Sequence, residues 1–348
     1  LNLEELKTWL KSFEEKPYRA EQIQNWLFVN QVRSTAEMVN LPASILSKLD
    51  ESFYLHSLSE SQKHTSTDGT IKWLFKTHDS FYIETVTIPT NGRYSVCVST
   101  PVGCAMGCTF CRTAKMGFLR NLEAGEILEQ IIRVNWHLED SNSLSREGLA
   151  AKVTNIIFMG MGEPLNNLDN VHRTCSILHQ QKLFNMGKKR MTISTSGIVP
   201  KIKELVDRNT PCCLAVSLNS SNNQQRSSVM PVNDVWPIEA LLEATDEYTR
   251  RTGNYVTFEF VLIKNITCTK EAAKELVRIC APRRCKVNAI ALNDGDNNSL
   301  QTPSEIEIEA FLEIVRAAKI QSTMRTPRGR DIFAACGQLA HKQGKESC

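Results

Sequence analysis

The sequence predicts an α/β protein. A mostly parallel sheet, open or closed into a partial (β/α) barrel, carries a small helical module at its N-terminal end. Three observations predict this. From about residue 81, short β-rich runs alternate with amphipathic helical stretches, the rhythm of a parallel sheet with crossover helices. The first sixty or so residues instead repeat apolar side chains at helical spacing. A length of 348 residues accommodates one α/β unit of ~200–250 residues plus an accessory piece.

The elements follow in order. "LEELKTWLKSF" sets Leu3, Leu6, Leu10 and Phe13 on one face, and "RAEQIQNWLF" does the same with Ile23, Trp26 and Leu27. "NLPASILSKL" adds a third short helix after Pro42. Strands are expected at "ETVTIP" (84–89), "SVCVST" (95–100), "VTNIIFMG" (153–160) and "RMTIST" (190–195). Three more follow at "CLAVSLN" (213–219), "TFEFVLI" (257–263) and "KVNAIAL" (286–292). Between them lie helices such as "GEILEQIIRVNWHL" and "EAAKELVRICA". A last helix is expected to start with Thr302 as N-cap, Pro303 at its first position and Glu305 completing a capping box. It would bury Ile308, Phe311, Leu312 and Val315. Residues 139–149 read as a polar surface loop, and no internal repeat is found.

In such folds the working groups gather where strands end. "MGMGEP", "STSG", "SLNSSN" and "LNDGD" each follow an expected strand, which makes a ring of polar loops on one rim.

Composition narrows the class. Hydrophobic residues make up 41% and charged residues 23%, as in ordinary globular proteins. Apolar runs such as "TNIIFMG" are too short to span a bilayer, and the acidic amphipathic start argues against a signal or transit peptide. A cytosolic, non-membrane protein is expected. Its twelve cysteines then point to metal or redox chemistry rather than to stable disulfides. The formal charge of +3 is unevenly spread. Residues 1–60 hold six Lys/Arg against nine Asp/Glu, whereas residues 319–348 hold six against two. Together with "KKR" at 188–190, that C-terminal region could meet a polyanion or could be a solvated tail.

Residues 104–111, "CAMGCTFC", carry the strongest signal: Cys104-x3-Cys108-x2-Cys111 between a strand and a helix. A zinc site wants four ligands, normally in pairs, yet no second C-x2-C exists and Cys212–Cys213 are adjacent. Three thiolates on a 4Fe–4S cluster leave one iron open, so that a molecule can bind the metal directly.

This spacing, with Phe110 before the last cysteine, resembles the signature of the radical S-adenosylmethionine (SAM) enzymes. "VCVSTPVGCAMGCTFCRTAKMGFLRNL", "FMGMGEPLNN", "TISTSG", "AVSLN" and "RGRDIFAACGQLA" together resemble the RlmN/Cfr family of RNA adenine methyltransferases. "GEPL" is similar to the C2-methylating branch rather than to the C8-methylating one. The resemblance covers about residues 80–340 and extends more weakly into "PYRAEQIQNWLF".

The resemblance implies a partial barrel of the radical SAM type over 76–325. A helical accessory, RNA-binding domain over 1–75 precedes it, and a basic C-terminal segment over 326–348 follows. It implies one 4Fe–4S cluster held by Cys104, Cys108 and Cys111, and two SAM molecules per turnover. SAM contacts carry over to Gly162, Glu163, Ser194, Ser217, Leu218, Asn219 and Asn293. Cys336 would be methylated first, and its methyl carbon, activated by the second SAM, would add to the base and crosslink protein to RNA. Cys97 would resolve the crosslink and pair with Cys336. Proton removal would fall to a cysteine or to the carboxylate of Glu84. Two departures stand out: Asn219 where the family usually has His, and Asp294 where it usually has Pro.

The implied substrates are the peptidyl-transferase-centre adenine of 23S rRNA and, in some members, the tRNA adenine next to the anticodon. A flavodoxin or ferredoxin would donate electrons to a monomeric enzyme. Lys188, Lys189, Arg190, Arg325, Arg328 and Arg330 are candidate phosphate contacts. Cysteines 175, 212, 213, 268, 280, 285 and 348 are read as structural or incidental. The rival readings are a C8-methylating relative and a non-catalytic, metal-stabilised RNA-binding protein.

Overall fold

The computed structural model describes residues 2–293, 300–335 and 337–339. Its centre is a ten-stranded sheet. In chain order the strands are β1 (Leu58–Thr65), β2 (Ile71–Thr77), β3 (Tyr82–Thr90), β4 (Arg93–Cys97), β5 (Pro101–Gly103) and β6 (Phe118–Asn121). They continue with β7 (Val153–Phe158), β8 (Met191–Thr195), β9 (Cys213–Ser217), β10 (Val256–Leu262), β11 (Cys285–Ala291) and β12 (Ser322–Arg325). The spatial order is β1-β2-β3-β4-β7-β8-β9-β10-β11-β12, with β5 and β6 forming a separate pair.

From β4 to β12 every neighbour is parallel, and a helix lies in each crossover. The inner parallel strands β9, β10 and β11 are mostly buried apolar runs, as a sheet covered by helices requires. The sheet edges do not join, yet the sheet curls. β7 and β12 stand five strand spacings apart, ~24 Å if the sheet were flat. Arg325 at the end of β12 nevertheless donates from Nη1 to the Sδ of Met159, just beyond β7, at 3.4 Å. This is the expected partial barrel.

The N-terminal helices Leu3–Lys11, Tyr18–Asn25 and Ala43–Ser52 enclose their own small core around Leu6, Leu10, Ile23, Met38 and Ile45. An Asn2–Glu5 capping box starts the first of them. Trp136 Nε1 donates to Gln31 O at 2.6 Å, Arg33 pairs with Asp140 at 2.6 Å, and Arg173 pairs with Glu5, fastening this unit to the barrel helices.

Two expectations need correction. Helical structure in this region ends at Ser52, and residues 58–77 are β1 and β2 of the main sheet, so the helical unit does not reach residue 75. β1 is an edge strand, exposed except at Leu58, so its polar sequence carries no alternation to read. The cap of the last helix, Glu305–Ala317, is Ser304 with Glu307 at its third position. Thr302 instead donates its hydroxyl to Leu292 O at 2.9 Å.

One polar residue locks the helix Ala124–Asp140 to the strands. Gln130 is fully buried. Its Oε1 accepts from Thr85 Oγ1 at 2.7 Å and Ser99 N at 2.8 Å, and its Nε2 donates to Ser99 O at 3.0 Å. Gln130→Leu strands those groups without water and should cost on the order of 2–4 kcal/mol in chemical denaturation; an unchanged unfolding midpoint would refute the bridge.

Candidate active site

Two adjoining chambers lie where the parallel strands end. Cys104, Cys108, Cys111, Gly162, Glu163, Ser194, Ser217, Asn219 and Asn293 all line the first. Val86, Cys97, Ala334 and Ala335 line the second. Met159, Ile290, Asn293 and Arg325 belong to both walls.

The cysteine loop leaves β5 and returns as β6, its neck closed by the bond from Cys104 N to Gly117 O at 2.8 Å. Gly103, at φ +78°, admits no side chain there: a Cβ would sit 1.9 Å from Gly117 O. Thr109 N donates to Val229 O at 3.1 Å and Arg112 N to Gly337 O at 2.8 Å, so the loop is held from both sides. Burial pushes the Cys104 thiol up to about 11 and the Cys108 thiol higher still, and the neighbouring thiols add to both shifts. Thiols in such a setting ionise when a bound cation stabilises the thiolates, the protons being released to solvent. Three of them converge on one chamber, and no fourth cysteine is among its described lining residues. That donor set fits an iron–sulfur cluster with one iron left open.

Glu163 faces the cysteines and is 5% exposed. Burial raises its pKa, while N–H donors from Ser196 (2.7 Å) and Leu165 (3.0 Å) oppose the rise. Gly162, at φ +85°, brings the turn against Pro101, whose Cγ a Cβ would meet at 2.0 Å. Ser194 and Ser217 sit at the ends of β8 and β9. Asn219 adopts the left-handed conformation (φ +54°) that Asn tolerates well. Its Oδ1 accepts from Val261 N at 3.1 Å and its Nδ2 donates to Met230 Sδ at 3.2 Å, so the amide ties β9 to β10. Leu218 departs from the expected contact set: its side chain lies in the main core and does not line the chamber, leaving its backbone alone near the site. Asp294 and Cys336 lie outside the described residues, although Ala335 lines the second chamber and Gly337 the first.

Cys97 and Glu84 share a sheet face. Val86 pairs with Cys97 across β3–β4 and with Lys72 across β2–β3, and Glu84 lies two residues along on the same side. Glu84 is buried and forms an ion pair with Lys72 at 3.4 Å. Lys72 also donates to Phe333 O at 3.4 Å.

The C-terminal segment is thereby anchored at several points. Asp331 accepts from Ser66 Oγ at 2.6 Å and Thr67 N at 3.2 Å, Asp68 accepts from Gly329 N at 3.1 Å, and Thr113 Oγ1 donates to Leu339 O at 2.5 Å. The basic cluster Lys188–Arg190 lies elsewhere. It precedes β8, at the opposite end of the strands from the chambers. Arg325 reaches into both chambers, and Arg330 Nε donates to Asn293 Oδ1 at 3.4 Å.

Three residues escaped the sequence reading. Glu259, buried in the first chamber, accepts from Asn288 Nδ2 at 2.8 Å. A charge within the apolar run "TFEFVLI" was a usable signal for it. Lys72, within "IKWLFK", and the fully buried Arg226, within a polar stretch, offered none, because each reads as a solvated charge.

The anchoring of the C-terminal segment depends on pH in a defined sense. Burial would raise the Asp68 pKa, but hydrogen bonds from Thr70, Gly329 and Ser66 hold it at about 2, and the Ser66 hydroxyl and Thr67 N–H lower that of Asp331. Their depressed values mean that this stabilisation is complete above about pH 4 and is lost as the pH falls toward 2. Pepsin cleavage within 326–335 should rise over that interval. At pH 7, Asp331→Asn should speed tryptic cleavage at Arg328 and Arg330 several-fold; equal rates would refute the anchor.

Comparison with known proteins identifies the family. The Radical SAM superfamily model matches residues 98–277, and the ribosomal RNA large subunit methyltransferase N-terminal domain model matches residues 1–55. The chain is 41% identical over 347 residues to a probable dual-specificity RNA methyltransferase RlmN of Geobacillus kaustophilus, covering 99% of this chain and 93% of that one. A Bacillus subtilis relative of the same description is 38% identical over 345 residues, with the same coverage. The crystal structure of a radical SAM methyltransferase from Sphaerobacter thermophilus superposes with a TM-score of 0.91 at 39% identity, covering 97% of each chain. No described helix is long and apolar enough to cross a membrane. With its three-cysteine loop, its curled parallel sheet and this similarity along almost its entire length, the chain belongs to the RlmN family of radical SAM RNA methyltransferases.

Proposed function

We propose that this chain methylates carbon 2 of adenine, in the peptidyl-transferase centre of 23S rRNA and next to the anticodon of tRNA. The observation that carries the reading is the wall shared by the two chambers. The cluster cysteines lie on one side of it and Cys97 on the other, with residues flanking Cys336 contributing to each. A carbon carried on Cys336 has to be activated in the first chamber and released beside Cys97, which adjoining chambers make a short transfer.

Carbon 2 of adenine is electron-poor and cannot attack a methyl donor as a nucleophile. When bound, the cluster and SAM supply the one-electron chemistry that activates a methyl carbon for attack on such a position. This chain's residues do the rest. Cys104, Cys108 and Cys111 hold the cluster. Glu163 accepts hydrogen bonds from the SAM ammonium, while Ser194, Ser217, Asn219 and Asn293 hold ribose and adenine edges and the Leu218 backbone supports them. Cys336 carries the methyl group, Cys97 resolves the crosslink, and Glu84 takes the proton from the adduct. Arg325, Arg328 and Arg330 hold RNA phosphates at the mouth, and the target base leaves its stack to enter. Two SAM molecules serve each turnover of a monomeric cytosolic enzyme, with a flavodoxin or ferredoxin as electron source.

Mass spectrometry of rRNA and tRNA from cells with and without this gene tests the reading. The expected result is loss of 2-methyladenosine from both RNAs; loss of 8-methyladenosine instead would overturn the regiochemistry. Cys336→Ala should keep the cluster and SAM cleavage yet add no methyl to RNA. Replacing Arg325, Arg328 and Arg330 with Ala should weaken RNA binding and flatten its salt dependence. The slope of log affinity against log salt should fall by about 0.9 for each duplex phosphate no longer neutralised. Equal affinity at every salt concentration would contradict the phosphate contacts.

A further inference from the structure

Arg226, on the short helix Asn223–Val229, is entirely buried. Its Nε donates to Leu218 O at 3.0 Å and its Nη1 to Asn233 Oδ1 at 3.0 Å. Its Nη2 donates to Ser196 O at 2.6 Å and Ser217 O at 3.2 Å. Every acceptor is neutral. The Glu163 carboxylate accepts from the N–H of Ser196 and forms no ion pair with Arg226 among the described residues. Four hydrogen bonds engage all three guanidinium nitrogens but leave the charge uncompensated, which proteins retain rarely and at considerable cost.

The missing negative charge has an evident source. Ser196 and Ser217, whose carbonyls Arg226 grips, line the first chamber together with Cys108. The same helix ends at Val229, whose carbonyl accepts from Thr109 N at 3.1 Å, one residue beyond Cys108. Cys108 also packs against the cluster formed by Val229 and Met230. The helix that carries the cation is therefore joined by a hydrogen bond and by packing to the loop that presents the thiols.

We infer that Arg226 is a positioning residue and the internal counter-cation of the cluster held by Cys104, Cys108 and Cys111. Three thiolates and an iron–sulfur core carry net negative charge, and one-electron reduction makes that charge greater by one. A fixed cation in a poorly solvated interior favours both assembly and the reduced state, and its grip on the loops after β8 and β9 keeps that charge in place. The inference rests on the reading that these three cysteines hold a cluster.

Potentiometric titration of the anaerobically reconstituted protein, followed by electron paramagnetic resonance, tests it on the parent protein, Arg226→Lys and Arg226→Gln. Arg226→Gln should disfavour cluster reduction at least tenfold, about 59 mV toward more negative potential for one electron. Arg226→Lys, which keeps the charge but not the four bonds, should stay within threefold of the parent. A Gln variant that matches the parent, or a Lys variant that shifts as far as Gln, overturns the inference. Should folded Arg226→Gln retain less than a third of the parent's iron, full retention by Arg226→Lys supports it and equal loss overturns it. Unfolding of both variants overturns it in favour of a purely structural role. Failure of the parent protein to assemble a cluster would instead sink the underlying reading, a separate result.

Discussion

The curl of the parallel sheet is the constraint on which the site depends. A flat sheet would hold the ends of β7 and β12 far apart, and no one chamber could take side chains from both. The meeting of Arg325 with Met159 shows how far the curl brings them together. The ring of strand-end loops closes on a common space, so that Glu163 after β7, Ser194 on β8, Ser217 on β9 and Asn293 after β11 face the same three cysteines.

Around that space the fold spends polar groups in places where apolar ones would pack more cheaply. Gln130 satisfies the Ser99 backbone next to the cysteine loop, Asn219 ties β9 to β10, and Arg226 fastens two loops to the helix beneath them. Each bridges backbone that cannot continue its ladder because the strand has ended. Such bridges stabilise little in sum, but an unmade one is expensive, and that asymmetry restricts each loop to one arrangement.

The antiparallel extension gives the C-terminal segment a second floor. β1 and β2 add nothing to the cysteine chamber, yet their turn supplies Ser66, Thr67 and Asp68, and β2 supplies Lys72, all of which hold residues 329–333. A segment that follows the last strand of the barrel is thus seated between that turn and the helix Arg112–Lys115. Its flanking residues reach both chambers as a result.

Much of this was legible in the residues alone. The alternation of β-rich and amphipathic runs determined the parallel sheet, because buried strands and crossover helices leave different periodicities. The spacing of Cys104, Cys108 and Cys111 pointed to the chemistry, because thiols this close in sequence fall on one loop, whereas the lack of a fourth cysteine among the chamber's described lining residues was decided by the fold. That the polar loops after β7, β8, β9 and β11 share one rim followed from chain order, while the individual residues on them were named from the resemblance to the RlmN/Cfr family. Tertiary structure alone decided the pairing of Glu84 with Lys72 and the burial of Arg226. It also decided that "LSESQKHT" is a strand. The first two turn on which charges lose their water, which depends on what folds over a residue from distant parts of the chain, and the exposed strand turns on having β2 to pair with.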